Sequence, residues 1–290
     1  MEIEQLKILL RNNKIKPNFT YGQNFLVDDE VLEEIIEAAE VTPADTVLEI
    51  GPGIGNLTRL LCERAGFVLS VEKDPQFQEI LYKIKKDHRD SFRYEIADAL
   101  TLDYRTALNK LTQRDIGVPI SDRSASYKLV ANIPYYITGK ILQMFLNAKN
   151  KPTEIVVLTQ KEVAENVVAE AGDLSVLAIS VQLFGKPEIV KIVPAKSFFP
   201  APKVDSAILK IKLFTEPKYK LSDEKKFFRI VKACFAGKRK QLHNTLTSNL
   251  KLPKEKVLEI LSSLEINPMA RPQELTIEKW IELSSMINKI

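Results

Sequence analysis

The stretch Val47-Leu48-Glu49-Ile50-Gly51-Pro52-Gly53-Ile54-Gly55 constrains this chain more than any other. A short apolar, β-branched run stops at three alternating glycines, and leucines follow at helical spacing: Leu57, Leu60 and Leu61. That order predicts a strand, a tight turn and a helix, the opening unit of a doubly wound α/β sheet. Glycine lets the backbone turn sharply and approach a ligand with no Cβ in the way. The helix behind the turn offers unpaired N–H groups to that ligand. A second apolar run, Phe67 to Val71, ends at Glu72. That is about twenty residues on, where an acidic side chain bonds ribose hydroxyls in such sheets. Together these features imply an adenosine-type cofactor.

The glycine register separates two cofactor classes. A dinucleotide fingerprint, G-x-G-x-x-G, needs Gly or Ala at its sixth position. Asn56 stands there, and the pattern is G-x-G-x-G with Glu49 two residues before it. S-adenosylmethionine carries no pyrophosphate and does not need the third glycine in dinucleotide register. A carboxylate near the loop also suits its amine and sulfonium charges. S-adenosylmethionine is therefore the expected cofactor, held at Gly51, Gly53 and Glu72; a purely structural tight turn is the alternative.

Around that centre the chain alternates. Strand patterns fall near 47–50, 67–71, 92–96, 128–131 and 154–158, and helical patterns near 55–65, 75–87, 138–148 and 161–170. The alternation implies a parallel sheet with helices on both faces. Asp28 and Asp29 open an amphipathic helix through Glu40, with Val31, Leu32, Ile35 and Ile36 on one face. Residues 174–184 look helical, and 188–193 with 204–213 read as a β pair closing the sheet across a proline-rich loop. Residues 110–126, with Gly117, Pro119 and several Ser and Asp, read as a surface loop. Beyond Pro217 the pattern is helical near 222–236, 253–264 and 276–287. The expected organisation is an arm at 1–27, an α/β domain at 28–215 and a helical domain at 216–290. In the arm, Lys14 and Lys16 precede Phe19 and Tyr21, a mix that grips phosphates and stacks bases or simply packs on the core.

Composition excludes several classes. No apolar run is long enough to span a membrane, and residues 1–11 mix Glu2 and Glu4 with apolar residues rather than forming a signal peptide. Cys62 and Cys234 read as buried small hydrophobes in a reducing cytosol, so a cytoplasmic protein is expected. The histidines are His88 and His243 alone, so a His-rich metal site is not available and no metal is expected. Charge is uneven: 24 Lys and Arg stand against 28 Asp and Glu over residues 1–200, but 18 against 10 over 201–290. A basic tail on a near-neutral domain suits a polyanionic partner; a solvated basic surface is the other reading.

The chemistry sits at the end of the fourth strand, in Ala131-Asn132-Ile133-Pro134-Tyr135-Tyr136. In an open α/β sheet the carboxyl ends of the strands form the ligand crevice. An exocyclic adenine amine is a poor nucleophile because its lone pair is delocalised into the ring. A carboxamide oxygen and a backbone carbonyl that accept its two hydrogens pull the nitrogen toward tetrahedral geometry. Asn132 supplies the first and the Ile133 carbonyl the second, with Pro134 fixing the turn. Tyr135 stacks on the base, as enzymes that extrude a base require. Catalysis is then mainly positioning. The competing reading is a strand-terminating turn with a core tyrosine.

Four segments carry a family resemblance: E-I-G-P-G-I-G-N at 49–56, N-I-P-Y-Y at 132–136, G-Q-N-F-L at 22–26 and F-F-P-A-P-K-V-D-S at 198–206. Together they resemble the ribosomal RNA adenine dimethyltransferases, from about Phe19 to the C-terminus. In detail they are most similar to the bacterial small-subunit type, which dimethylates two adjacent adenines in the 3′-terminal hairpin. The resemblance implies a class I S-adenosylmethionine-dependent methyltransferase fold, Rossmann-like with a mostly parallel seven-stranded sheet, and a small all-α C-terminal domain. It implies that Asn24 and Leu26 line the cofactor pocket beside Gly51. Asp98 bonds the cofactor's adenine amine, and Asn132 sits at the methyl-transfer point, where it faces and helps bind the cofactor. Phe198 is the second aromatic, sandwiching the target base against Tyr135. Arg229, Lys232 and the run Lys238-Arg239-Lys240 resemble the small-subunit type's RNA-binding segment.

The expected function is dimethylation of adenine N6 amines in small-subunit rRNA by a monomer acting on immature small-subunit particles. Three readings stay open beside it. They are a large-subunit methyltransferase of the antibiotic-resistance type, a non-catalytic RNA-binding assembly factor, and an NAD-dependent oxidoreductase. Asn56 stands against the last.

Overall fold

The computed structural model describes residues 1–18, 21–104, 106–108, 126–237 and 239–288. The expected loop at 110–126, apart from Ser126, lies outside the described residues, as do Phe19 and Lys238. The chain divides into two compact units, Met1–Ala164 with Lys186–Leu213, and Glu165–Gly185 with Phe214–Ile290.

Among the described residues the first unit is built on nine strands: β1 Phe25–Leu26, β2 Thr46–Ile50, β3 Phe67–Glu72, β4 Phe92–Ile96, β5 Tyr127–Asn132, β6 Glu154–Gln160, β7 Gly185–Val193, β8 Phe198–Phe199 and β9 Ser206–Leu213. Seven form one sheet in the order β4-β3-β2-β5-β6-β9-β7. The pairings from β4 through β6 are parallel, and β9 runs antiparallel to β6. The mostly parallel, seven-stranded sheet expected from the sequence is therefore present.

Sequence explains which strands are central. β3 and β6 are buried almost throughout and read as near-continuous apolar runs, as strands covered on both faces do. Leu48 pairs with Leu69 on one side and Leu129 on the other, and all three are fully buried. At the sheet's edge β7 instead alternates, with Val190 and Ile192 exposed. Parallel register brings the ends of β2, β3 and β5 to the same edge of the sheet, so Ile50, Glu72 and Asn132 come out side by side.

The helix Asp29–Ala38 forms where its apolar spacing placed it. The Asp28 carboxylate accepts the Val31 N–H at 3.4 Å, Asp29 and Glu30 fill the first turn, and Val31, Leu32, Ile35 and Ile36 are buried. The arm contributes two regular elements among its described residues. Ile3–Asn12 is helical with Leu6 and Leu10 buried, and β1 pairs antiparallel with β8, joining the arm to the proline-rich segment.

The second unit is helical and has its own apolar core around Phe227, Ile230, Leu246, Leu261 and Trp280. The helix Val176–Phe184 belongs to this unit, whereas the sequence reading kept it inside the 28–215 domain. Its residues are apolar nearly all round, so it needs cover on several faces, and side chains from 227–283 supply that cover. A further helix, Leu242–Leu250, occupies a region read only as a basic stretch. Among the described residues no helix is long and apolar enough to cross a membrane.

Candidate active site

A pocket of about 300 Å³ opens where β2, β3 and β5 end. The glycine turn forms one wall. Gly51 and Gly53 hold φ of 72° and 53°, the left-handed region that side chains with a Cβ rarely adopt. A Cβ on Gly51 would lie 3.6 Å from both the Asn132 carbonyl oxygen and Pro134 Cδ. The turn and the N-I-P-Y segment thus face each other at close range, which follows from β2 and β5 being sheet neighbours.

Two carboxylates lie under this turn. Glu72, 6% exposed, accepts the Gly53 N–H at 3.0 Å and the Asp74 N–H at 2.8 Å. Burial raises its pKa, and those N–H groups pull it partly back. Glu49, 1% exposed, accepts the hydroxyls of Thr58 at 2.8 Å and Ser70 at 2.5 Å. Burial pushes its pKa up to about 7, with the nearby Glu72 charge adding to the rise. The sequence reading turned Glu49 toward the ligand; the structure ties one of its oxygens to the strand and helix flanking it.

Asp98 stands on the far wall, just past β4. Its Oδ1 accepts the Leu100 N–H at 2.9 Å, and its Oδ2 accepts from the Lys73 ammonium at 2.9 Å. That hydrogen bond from Lys73 is the main reason its carboxyl sits below the usual range. The arm supplies Asn24 and Leu26 to the same pocket. Asn24 donates to the Gly22 carbonyl at 3.3 Å, and Gln23 donates to the buried Asp74 carboxylate at 2.8 Å.

Asn132, half-buried, also lines the pocket. Nothing among the described residues hydrogen-bonds its carboxamide, unlike those of Gln23 and Asn24. Pro134 and Tyr135 follow on the rim. The Tyr135 hydroxyl is 2.7 Å from Ser206 Oγ, and burial holds its phenol above the usual pKa. Tyr136 is 53% exposed beside them.

Phe198 is not brought to the pocket. It pairs with Leu26 across the β1–β8 ladder and is 2% exposed within the core, so it presents no face to a base in this conformation. A two-residue strand that docks the arm has buried the ring which the resemblance assigned to the sandwich. In the second unit, Arg229 and Lys232 are exposed three residues apart on the helix Glu224–Phe235, so they share a face. Arg239 and Lys240 are exposed ahead of the helix Leu242–Leu250. Lys238 lies outside the described residues.

Sequence reasoning passed over Lys73, Asp74 and Ser206. The first two directly follow Glu72, and Ser206 ends the F-F-P-A-P-K-V-D-S segment, so position alone could have raised them. Their partners, at 98, 23 and 135, could not be read from it.

Comparison with known proteins follows the same lines. The sequence model of the family described as "Ribosomal RNA adenine dimethylase" matches residues 14–289. "Ribosomal RNA small subunit methyltransferase A" of Dehalococcoides mccartyi (strain CBDB1) is 39% identical over 279 residues, covering 96% of this chain and 91% of that protein. The protein of the same name from Moorella thermoacetica is 38% identical over 278 residues, covering 95% and 94%. Among solved structures, a dimethyladenosine transferase from Plasmodium falciparum superposes with a TM-score of 0.74 at 26% identity, covering 91% of this chain and 98% of that one. The 23S rRNA methyltransferase ErmE gives 0.68 at 29% identity, covering 91% and 100%. A glycine turn facing an N-I-P-Y strand end, on a chain matched almost from end to end, makes this protein a member of the ribosomal RNA adenine dimethylase family.

Proposed function

We propose that this protein transfers methyl groups from S-adenosylmethionine to the N6 amines of two adjacent adenines in the 3′-terminal hairpin of small-subunit rRNA. The observation that carries the reading is Asn132, half-buried in the pocket wall, with its backbone facing the glycine turn and no partner for its carboxamide among the described residues. A carboxamide left free in a pocket wall keeps its oxygen available to accept a ligand's N–H.

The pocket suits S-adenosylmethionine better than a dinucleotide. The Glu72 carboxylate, pulled toward its ionised form by the Gly53 and Asp74 N–H groups, would repel a pyrophosphate, whereas it favours a ligand carrying an amine and a sulfonium. Glu72 is oriented by two backbone N–H groups to accept ribose hydroxyls, and Asp98 is placed for the adenine amine. Gly51, Gly53, Asn24 and Leu26 shape the remaining wall. When bound, the cofactor supplies an electrophilic methyl group.

This chain's own residues do the rest. The Asn132 side-chain oxygen and the Ile133 carbonyl accept the target amine's hydrogens and turn its lone pair outward. Pro134 holds that backbone in place, and Tyr135, steadied by Ser206, offers a ring face to the base. A tyrosine held protonated by burial is no general base, and none is needed, because the alkylated nitrogen loses its proton to water. A singly methylated amine still carries one hydrogen, so one pocket serves both transfers. Arg229, Lys232, Lys238, Arg239 and Lys240 bind rRNA phosphates. The working unit is a monomer in the cytoplasm, acting on immature small-subunit particles.

The test incubates the protein with methyl-labelled cofactor and immature small subunits from cells lacking this modification. Label recovered as N6,N6-dimethyladenine in the 3′-terminal hairpin is expected; unlabelled adenine beside an active control would reject the reading. The alternative is a large-subunit substrate, as the name of ErmE at 29% identity states for that protein, and macrolide resistance in expressing cells would support it.

A further inference from the structure

Lys73 has no task in the methyl transfer described so far, yet it occupies the cofactor wall. It directly follows Glu72, lines the pocket, donates to Asp98 Oδ2 at 2.9 Å and stands 5.9 Å from the centroid of the Tyr21 ring. Asp98 is its ion-pair partner, and Tyr21 comes from the arm. The Lys73–Asp98 pair is substantially exposed, at 49% and 35%, so it contributes little to folding. Its effect is local: with Leu100 N–H on Oδ1 and Lys73 on Oδ2, both Asp98 oxygens are pinned, and the carboxyl is held ionised. Each oxygen keeps a lone pair for one more donor.

We infer that Lys73 is a positioning residue for the cofactor's purine. It fixes Asp98 as an acceptor, so that the pocket selects a 6-amino purine over a 6-oxo purine, and through Tyr21 it holds the arm against the same wall. An ionised, immobilised carboxylate accepts from an amine. Facing an oxo group, it sets two acceptors against each other with no proton between them. Without the ammonium, Asp98 is free to turn away or to take up a proton and donate. The preference for adenine then weakens along with the affinity. The inference rests on the S-adenosylmethionine reading and goes beyond it to a residue that neither the glycine turn nor the N-I-P-Y segment contains.

The test measures binding of S-adenosylhomocysteine and of its hypoxanthine analogue, S-inosylhomocysteine, to the full chain by calorimetry. Wild type, Lys73→Met and Lys73→Arg are compared, with thermal denaturation of each. Lys73→Met should weaken S-adenosylhomocysteine about tenfold, the scale of one charge-assisted hydrogen bond. It should narrow the amine-over-oxo ratio by a similar factor and leave the melting temperature nearly unchanged. Lys73→Arg, which keeps the cation, should restore most of both. If wild type binds S-adenosylhomocysteine and Lys73→Met binds both ligands equally well, the positioning role is overturned while the cofactor reading stands. Loss of affinity with an unchanged amine-over-oxo ratio, or no rescue by arginine, also overturns it. A wild-type chain that binds neither ligand overturns the cofactor reading and this inference with it.

Discussion

Glu72 accepts the backbone N–H of Gly53 at 3.0 Å, so the end of β3 and the glycine turn after β2 are joined by a single carboxylate. The group expected to hold the ribose therefore also sets the shape of the turn beside it. Glu72→Gln places an amide N–H against either the Gly53 or the Asp74 N–H. The cofactor dissociation constant should rise about 10- to 100-fold, by loss of charge-assisted acceptance. Calorimetric titration with S-adenosylhomocysteine checks this. The raised pKa adds a sign: wild-type affinity should fall as pH drops through it, because only the ionised form accepts on both oxygens.

Asn132→Ala removes the only side chain proposed to bind the reacting amine. Methyl transfer to small-subunit particles should fall by about 100- to 1,000-fold, as when one positioned hydrogen-bonding group is lost from a transition state. Cofactor affinity should change far less. Single-turnover transfer measured alongside cofactor binding separates the two effects. Equal losses in both would assign Asn132 to cofactor binding alone.

Glu49 makes stability depend on pH. Its folded pKa of about 7 lies above the ordinary carboxyl value, so the folded state holds the extra proton between them. The associated stability is fully present below about pH 4.5 and is lost as pH rises toward and through 7, by about 3 kcal/mol. Glu49→Gln keeps an acceptor for Thr58 and Ser70 but carries no titratable group. Denaturant unfolding from pH 5 to 8 should show the wild type losing stability relative to this variant, and parallel curves would contradict the assignment.

Phe198 is buried against the arm rather than presented to a ligand. Phe198→Ala should therefore cost about 3–5 kcal/mol of folding stability, the usual range for emptying a core of a phenyl ring. A variant as stable as wild type but defective in methyl transfer would instead show that the ring leaves the core to meet the base.

Neutralising Arg229, Lys232, Arg239 and Lys240 together should weaken particle binding at low salt and flatten its salt dependence. The slope of log K against log salt should drop by about 0.7–0.9 for each phosphate that is no longer neutralised. Filter binding at several salt concentrations reads both, and an unchanged slope would place these cations away from the RNA.

Much of the fold was open to reading because neighbours along the chain carry it. The alternation of apolar runs placed the central strands within a residue or two. The glycine register and the N-I-P-Y segment identified two walls of one pocket, since each is a local turn whose shape its own residues dictate. Asp28 announced its helix in the same way. Other features depended on which strands lie side by side. Sheet order brings Lys73 to Asp98 over 25 residues and Tyr135 to Ser206 over 71, and the docking of the arm brings Gln23 to Asp74 over 51. The same three-dimensional arrangement buries Phe198 under the arm and places Val176–Phe184 in the helical core. Periodicity can say that a residue wants a partner or cover, but the partner is chosen by packing between segments remote in the chain, and that choice exists only once the chain has folded.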